Sequence, residues 1–463
     1  MKMFLYLLAA FVLLSIIPRS GNAYEAFKGP LGVLQNSPEA SKGYVLIVPH
    51  DSKKSWLIDN EGNVVKEWTS EHNGFFGELL PNGNFVRHGR IDGAKPTKFG
   101  GTCGILEEFD WNGKKIWDYR MYTPDQVVSH HTFEVMPNGN YLVLGWEHKT
   151  YEEAIAKGLK PELPGREMKP EGITVEDELI QGIWPDFIRE IDRKTGKTVW
   201  EWHVWDHIGT GKDQIDINKF IPPLISKAYA GPDWTHFNGL AYRAATDEIC
   251  VTSRNLAEVY VINRKSGKIT YRWGNPANYG AGKAPGGYTD DGDQKLFGPH
   301  APDWTPEGNI TILDNGHSRP SGNYTRALEL NPKNGEVVWE WDARAVKAQM
   351  GNFYSAFQCG AQKLANGHWM ITSTNDGHVV EVTNDKKIVW EFISPIREDK
   401  IYKTSDGHGA GGDNVHKALR YTPDWSGFSG KELKPLYQLP NWVKILEADP
   451  APVRKDKEGE KKS

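Results

Sequence analysis

Leu328-Glu-Leu-Asn-Pro-Lys-Asn-Gly335-Glu-Val-Val-Trp339-Glu-Trp341 reads as a strand, a polar turn containing Gly, and a second strand that ends in alternating aromatics. Five other stretches repeat that pattern: 58–68, 109–119, 191–202, 262–273 and 382–392. Their final aromatics are Trp68, Tyr119, Trp202, Trp273, Trp341 and Phe392, so there are six copies. A second hairpin precedes most copies, with turns at Pro81–Asn84, Pro137–Asn140, Pro306–Asn309 and Ala365–His368. Two hairpins per copy make a four-stranded antiparallel sheet, and six such sheets arranged radially make a six-bladed β-propeller. The predicted fold is therefore all-β, with the propeller over residues 24–445. The sequence from about 151 to 183 is long, charged and partly helical, and reads as an insertion placed to cap one mouth of the channel. The connections 205–234 and 275–299 are also long.

Composition agrees with a packed, turn-rich β protein. The chain has 463 residues, 48 Gly, 28 Pro and 18 Trp, and most of the Trp read as packing between blades. A net charge of −5 argues against nucleic acid as a partner. Three cysteines (Cys103, Cys250 and Cys359) exclude a disulfide scaffold and leave room for one bridge with an odd thiol. Lys2, the apolar run Met3–Ile17 and small residues up to Ala23 read as a signal peptide at 1–23. A run of about 15 apolar residues is short for a membrane span of about 20. The expectation is a periplasmic or secreted protein with no stable membrane insertion after cleavage. Residues 446–463 form a charged tail that reads as disordered.

The first strand of each propeller blade lines the central channel, so its starting residue lies at a channel mouth, where ligands converge. Counting eight residues back from the turn glycines Gly139 and Gly308 reaches His131 and His300. In the fourth repeat, His236 and Asn238 share a strand face, and hairpin pairing sets His236 opposite Arg254. The same construction puts His300 near Asp314 and Asn315, which would orient its ring. Ser355 opens the equivalent strand of the sixth repeat, and His416 precedes a similar turn at Pro423-Asp424. A lone histidine on a strand is more often structural than catalytic. Three at one channel end, with an Arg and an Asn, raise the functional reading to equal weight. Three histidines also suit Zn²⁺ or Cu²⁺, but the neighbouring Arg254 favours an anion such as sulfate or phosphate.

At these residues the sequence resembles the bacterial arylsulfate sulfotransferase family. The resemblance rests on Trp200-Glu-Trp-His-Val-Trp-Asp-His207, Asp233-Trp-Thr-His-Phe-Asn238 with Thr252-Ser-Arg254, and Arg272-Trp-Gly-Asn-Pro276. It continues through Leu296-Phe-Gly-Pro-His300, Leu313-Asp-Asn-Gly316 and the Ser355 strand, covering roughly 44–392. Pro299 stands where Gln is common in the family. The resemblance implies a six-bladed propeller that moves a sulfuryl group from an aryl sulfate to a phenol, with no nucleotide donor, cofactor or metal. His300 would be the transient sulfate acceptor. His131, His236 and Arg254 would assist catalysis, and Asn238 and Ser355 would bind the sulfate. Two other classes fit the repeat: a quinoprotein-like oxidoreductase and a non-catalytic ligand-binding propeller. Trp205, Trp234 and Trp304 lie beside the channel motifs and are candidate walls for an aromatic substrate.

Overall fold

The computed structural model describes residues 29–94, 99–160, 182–219, 233–287, 289–342, 353–375, 377–404 and 414–444. The signal-peptide segment and the charged tail lie outside the described residues, as does 161–181 of the insertion. Six antiparallel sheets follow one another around a central axis. Blade 1 holds Tyr44–Ile47, Lys54–Asp59 and Asn63–Thr69, and blade 2 spans four strands from Asn73 to Arg120. Blade 3 runs from Val127–Val135 to Thr198–His203, and blade 4 from Phe237–Arg243 to Ile269–Trp273. Blade 5 runs from Pro299–Trp304 to Glu336–Asp342, and blade 6 from Gly360–Lys363 to Ile388–Ile393. The last of the strands named for each blade carries the aromatic that marked a repeat as its final or next-to-last residue.

Each middle strand is buried on both faces because a blade is packed between two neighbours. In blade 5, Ile310 and Ile312 pack with Ala241, Val259 and Val261 of blade 4. Leu313, one residue further on, turns to the other side and packs with Ile371 and Val380 of blade 6. Strand alternation thus sorts one apolar run into two wedges, and the core lies between blades.

The outer tryptophans tie these wedges together. Trp68 Nε1 donates to Asp110 O in the outer turn of blade 2 at 3.2 Å, and Trp202 Nε1 donates to Gly267 O of blade 4 at 2.7 Å. Trp339 reaches Asn384 O of blade 6 at 3.0 Å, and Trp390 reaches Asn60 O of blade 1 at 2.8 Å. Each indole therefore satisfies its N–H on the next blade's turn, and all but the half-buried Trp339 are buried.

The blades are not uniformly four-stranded. Leu419–Tyr421, near the C-terminal end, supplies the inner strand of blade 1, pairing with Tyr44–Ile47. Gly32–Asn36 adds a fifth, outer strand to blade 6 by pairing with Ile388–Ile393. Tyr122–Thr123 and Tyr437–Gln438 add short fifth strands to blades 3 and 1. Segments from near the two ends of the sequence thus complete blades 1 and 6 and close the ring. The insertion begins with a short helix, Tyr151–Ala156, whose N-terminus is held by a reciprocal Thr150–Glu153 capping box.

All three cysteines are buried thiols, so the bridge left open by the sequence does not form. Among the described residues no helix is long and apolar enough to cross a membrane.

Candidate active site

The inner strands do not enter the channel as regular β structure. Pairing slips between Ser129 and Phe133, between Phe237 and Gly239, and between His300 and Asp303. The bulges coincide with left-handed backbone at His131 (φ 53°), His236 (φ 47°) and Ala301 (φ 47°). Non-glycine residues reach this region at a cost, and a bulge re-aims the side chain beside it. Three blades therefore use the same local distortion to turn an imidazole towards the axis.

Every blade contributes one group to the resulting ring: His416, Phe75, His131, His236, His300 and Gln358, all buried. The His131 ring centre lies 4.9 Å from that of His236 and 6.3 Å from those of His300 and His416. Phe75 packs on His131 at 5.5 Å and on His416 at 5.1 Å. The sequence-predicted histidines therefore meet, although they occupy different registers: His131 and His236 are themselves left-handed, whereas His300 precedes its left-handed neighbour.

His300 is held from both sides. Its Nδ1 donates towards Asn315 Oδ1 at 2.7 Å and Gly298 O at 3.0 Å, which leaves the lone pair on Nε2. That lone pair accepts the Gln358 backbone N–H at 2.9 Å. Gln358 and Cys359 are themselves left-handed, with φ 55° and 84°. Asn315 fixes this turn as well, donating to Ser355 O at 2.8 Å and Gln358 O at 3.1 Å. Burial, reinforced by the Arg254 charge, pushes the His300 pKa well below the usual 6.5, so the ring is neutral at neutral pH.

His236 pairs through Nδ1 with Asp233 Oδ2 at 2.5 Å. The carboxylate orients the ring and stabilises it when it carries a second proton. His131 shares a hydrogen bond between its Nδ1 and that of His130 at 2.9 Å, and burial lowers the pKa of both rings. Arg254 lies opposite His236, its N–H donating to His236 O at 3.1 Å, as the hairpin pairing predicts.

Asn238 and Ser355 are committed within the protein. Asn238 donates to Pro299 O at 2.8 Å and accepts from Thr252 Oγ1 at 2.6 Å, which ties blade 4 to the strand carrying His300. The Ser355 hydroxyl lies 2.9 Å from both Phe357 O in its own turn and Asn375 Oδ1 just after the strand Trp369–Ser373.

Sequence reasoning missed Asp233, Asn315 as a clamp on two elements, the Gln358 amide, and the membership of His416. Both His416 ring nitrogens bond no other protein group among the described residues, although the ring is fully buried. One of them must carry a proton, so the channel end offers an uncommitted N–H. Among the described residues, no three His, Cys, Asp or Glu side chains are grouped so as to hold a metal ion.

Gly101 is required here. Its φ is +93°, and a Cβ at this position would overlap the His131 ring. Gly101→Ala is expected to cost about 2–3 kcal/mol and to displace His131. A lowered melting temperature together with reduced turnover checks this.

A cleft of about 320 Å³ opens beside Arg254 and Gly298, at the end of the propeller where His300 lies. Its aromatic wall is Phe297. Trp205, Trp234 and Trp304 do not line it: Trp234 is buried with blade 3 and 4 residues, and Trp205 and Trp304 pack against lysine or arginine side chains elsewhere. That expectation for the tryptophans is corrected.

Fold and site together describe a six-bladed propeller that gathers imidazoles at its centre, with Arg254 at the cleft beside them. Residues 176–403 match the Arylsulfotransferase (ASST) family, in line with the resemblance carried by the sequence motifs. The match supports aryl sulfotransferase activity in the broad sense. No curated protein sequence matches the chain. Among solved structures, a Bacteroides caccae protein of unknown function is similar at 12% identity and a TM-score of 0.47, covering 82% of this chain and 99% of its own. Virginiamycin B lyase from Staphylococcus aureus is similar at 12% identity and a TM-score of 0.39, covering 78% of this chain and 84% of its own.

Proposed function

We propose that the protein transfers a sulfuryl group from an aryl sulfate to a phenol, without a nucleotide, through a sulfo-histidine on His300. The observation that carries this reading is the state of His300. It is a neutral imidazole, anchored through Nδ1, with its Nε2 lone pair directed away from the anchor and a guanidinium nearby.

In the first half-reaction, His300 Nε2 attacks sulfur as the S–O bond to the ring breaks. The electron pair leaves with the phenolate, which takes a proton from His236. Asp233 holds His236 for that transfer. In the second half-reaction, the acceptor phenol gives its proton to His236, its oxygen attacks sulfur, and the N–S bond breaks. Arg254 and the His416 N–H stabilise the charge on the nonbridging oxygens. The Gln358 N–H now occupies the His300 lone pair, so donor binding has to displace it. The turn carrying it has two left-handed residues, and moving it gives up the Gln358 N–H bond to His300 and the Asn315 bond to Gln358 O, at about 1 kcal/mol each. Movement of that turn also frees the Ser355 hydroxyl for the sulfate contact that the family resemblance implies. Catalysis would take place in the periplasm or outside the cell, with aryl sulfates and phenols as partners.

The pH dependence tests the state of His300. A group whose pKa is held down stays unprotonated as pH falls through its ordinary value. The burst of 4-nitrophenolate released from 4-nitrophenyl sulfate needs no proton, so its rate should stay flat from pH 8 to pH 5.5. At pH 5.5 an imidazole of ordinary pKa would be about nine-tenths protonated. A tenfold fall in burst rate over this range contradicts a neutral, buried His300 nucleophile.

A further inference from the structure

The cleft beside Arg254 has a composition that sulfuryl binding alone does not require. Two cations line it, Lys219 and Arg254, and no carboxylate does among the described residues. Lys219 has no acidic partner among the described residues; Trp234 Nε1 holds its backbone carbonyl at 3.0 Å, which fixes the segment carrying it. His317 also lines the cleft, but burial and the Arg254 charge push its pKa down to about 4, so it adds no positive charge at neutral pH.

Three amides, Asn275, Asn278 and Gln294, line the same space. The side-chain nitrogens of Asn275 and Asn278 both donate to Leu256 O, at 3.4 and 2.8 Å. The Gln294 side-chain nitrogen donates to Leu296 O at 2.7 Å. With the nitrogens tied to backbone, the amide oxygens remain as acceptors. Asn275 Oδ1 is buried without a protein donor among the described residues. Phe297 supplies an apolar surface beside them.

We propose that this cleft binds the ring of a substrate carrying a second anionic group and at least one further hydroxyl: a hydroxylated aromatic acid, seen by Lys219 through its anion and by the three amide oxygens through its hydroxyl protons. Arg254 stands at the junction between the cleft and His300, so the group that reacts and the group that is recognised belong to one molecule. The assignment rests on the transfer reading above for its reaction, and on the lining of the cleft for its binding. A cationic ring substituent is disfavoured here because Lys219 and Arg254 carry the same charge as it does.

The test uses the full chain with Lys219→Met and Lys219→Arg variants. Acceptor kcat/KM is measured for 3-(4-hydroxyphenyl)propionate, its primary amide and tyramine, at a fixed concentration of 4-nitrophenyl sulfate. The wild type should favour the carboxylate over the amide by about tenfold and over tyramine by more. Lys219→Met should bring carboxylate and amide to within about twofold, and Lys219→Arg should keep the preference. An unchanged carboxylate-to-amide ratio in Lys219→Met overturns the proposal. Binding of 4-sulfobenzoate, a dianion that cannot transfer its sulfonate, is measured by calorimetry on the same three proteins. If transfer is absent but binding weakens about tenfold in the Met variant alone, the cleft stands and the transferase reading falls. If the wild type does not bind the dianion, or binds it no better than the Met variant does, the cleft assignment falls whatever the transfer assay shows.

Discussion

His300→Ala is expected to abolish exchange of sulfate between two phenols, with a loss of about four orders of magnitude or more in kcat/KM. The size follows from the role. No other neutral imidazole in the ring is anchored through Nδ1 by a side-chain carbonyl with its lone pair on Nε2, as His300 is by Asn315 at 2.7 Å. Removing the ring leaves Arg254 and the remaining imidazoles able to bind a sulfate but with nothing to carry it between substrates. The exchange assay with 4-nitrophenyl sulfate and a second phenol checks this, and hydrolysis without exchange in the variant would show binding surviving without transfer. The substitution is small for large in a buried site, so a melting curve accompanies the assay to confirm that the propeller is intact.

Asp233→Asn is expected to produce the second large effect, and its signature depends on the leaving group. The carboxylate at 2.5 Å from His236 Nδ1 sets the tautomer and stabilises the doubly protonated ring. An amide does neither, and general acid–base catalysis of this kind is worth about 10²–10⁴ in rate. For 4-nitrophenyl sulfate the departing phenolate is stable and needs no proton, so the burst should change little. For an aryl sulfate with an unactivated ring, the first half-reaction should fall by about 10²–10³. Discharge to a phenol of high pKa should fall similarly. Equal losses for both leaving groups would mean that Asp233 acts only by supporting the fold.

The blade count and much of the site's membership were legible in the sequence because both depend on local patterns. The alternating aromatics at Trp68, Trp202 and Trp341 repeat because each outer strand faces the next blade in the same way, and a repeated environment leaves a repeated sequence. His131 and His300 sit at equal offsets from Gly139 and Gly308, and both fall at the bulged start of an inner strand. Pairing about the turn 244–247 also placed Arg254 opposite His236, since hairpin register is set by nearby residues.

What escaped notice depends on distant chain segments or on backbone distortion. Leu419–Tyr421 completes blade 1, and Gly32–Asn36 extends blade 6, through pairings that span most of the chain. No local pattern encodes such a partner. For the same reason His416 stood outside the predicted set, although its ring lies 6.3 Å from that of His131. The bulges at His131, His236 and Ala301 were invisible because nothing in these residue types announces a left-handed backbone. Asn238 shows the consequence: strand alternation put it beside His236, but the bulge sends its amide across to Pro299 O. Asp233 precedes His236 by three residues, and that spacing was a usable signal, since a bend there brings the two side chains together. The capping of His300 by the Gln358 N–H had no sequence signal at all, being a backbone group presented by a strained turn.

The most direct test is to mix the enzyme briefly with 4-nitrophenyl sulfate in the absence of acceptor, quench in base, and map the adduct by peptide mass spectrometry. One sulfuryl group on His300, labile to acid and discharged by added phenol at the rate of turnover, is the expected result. A sulfuryl group on a different residue, or steady transfer between phenols with His300 never modified, would contradict the mechanism.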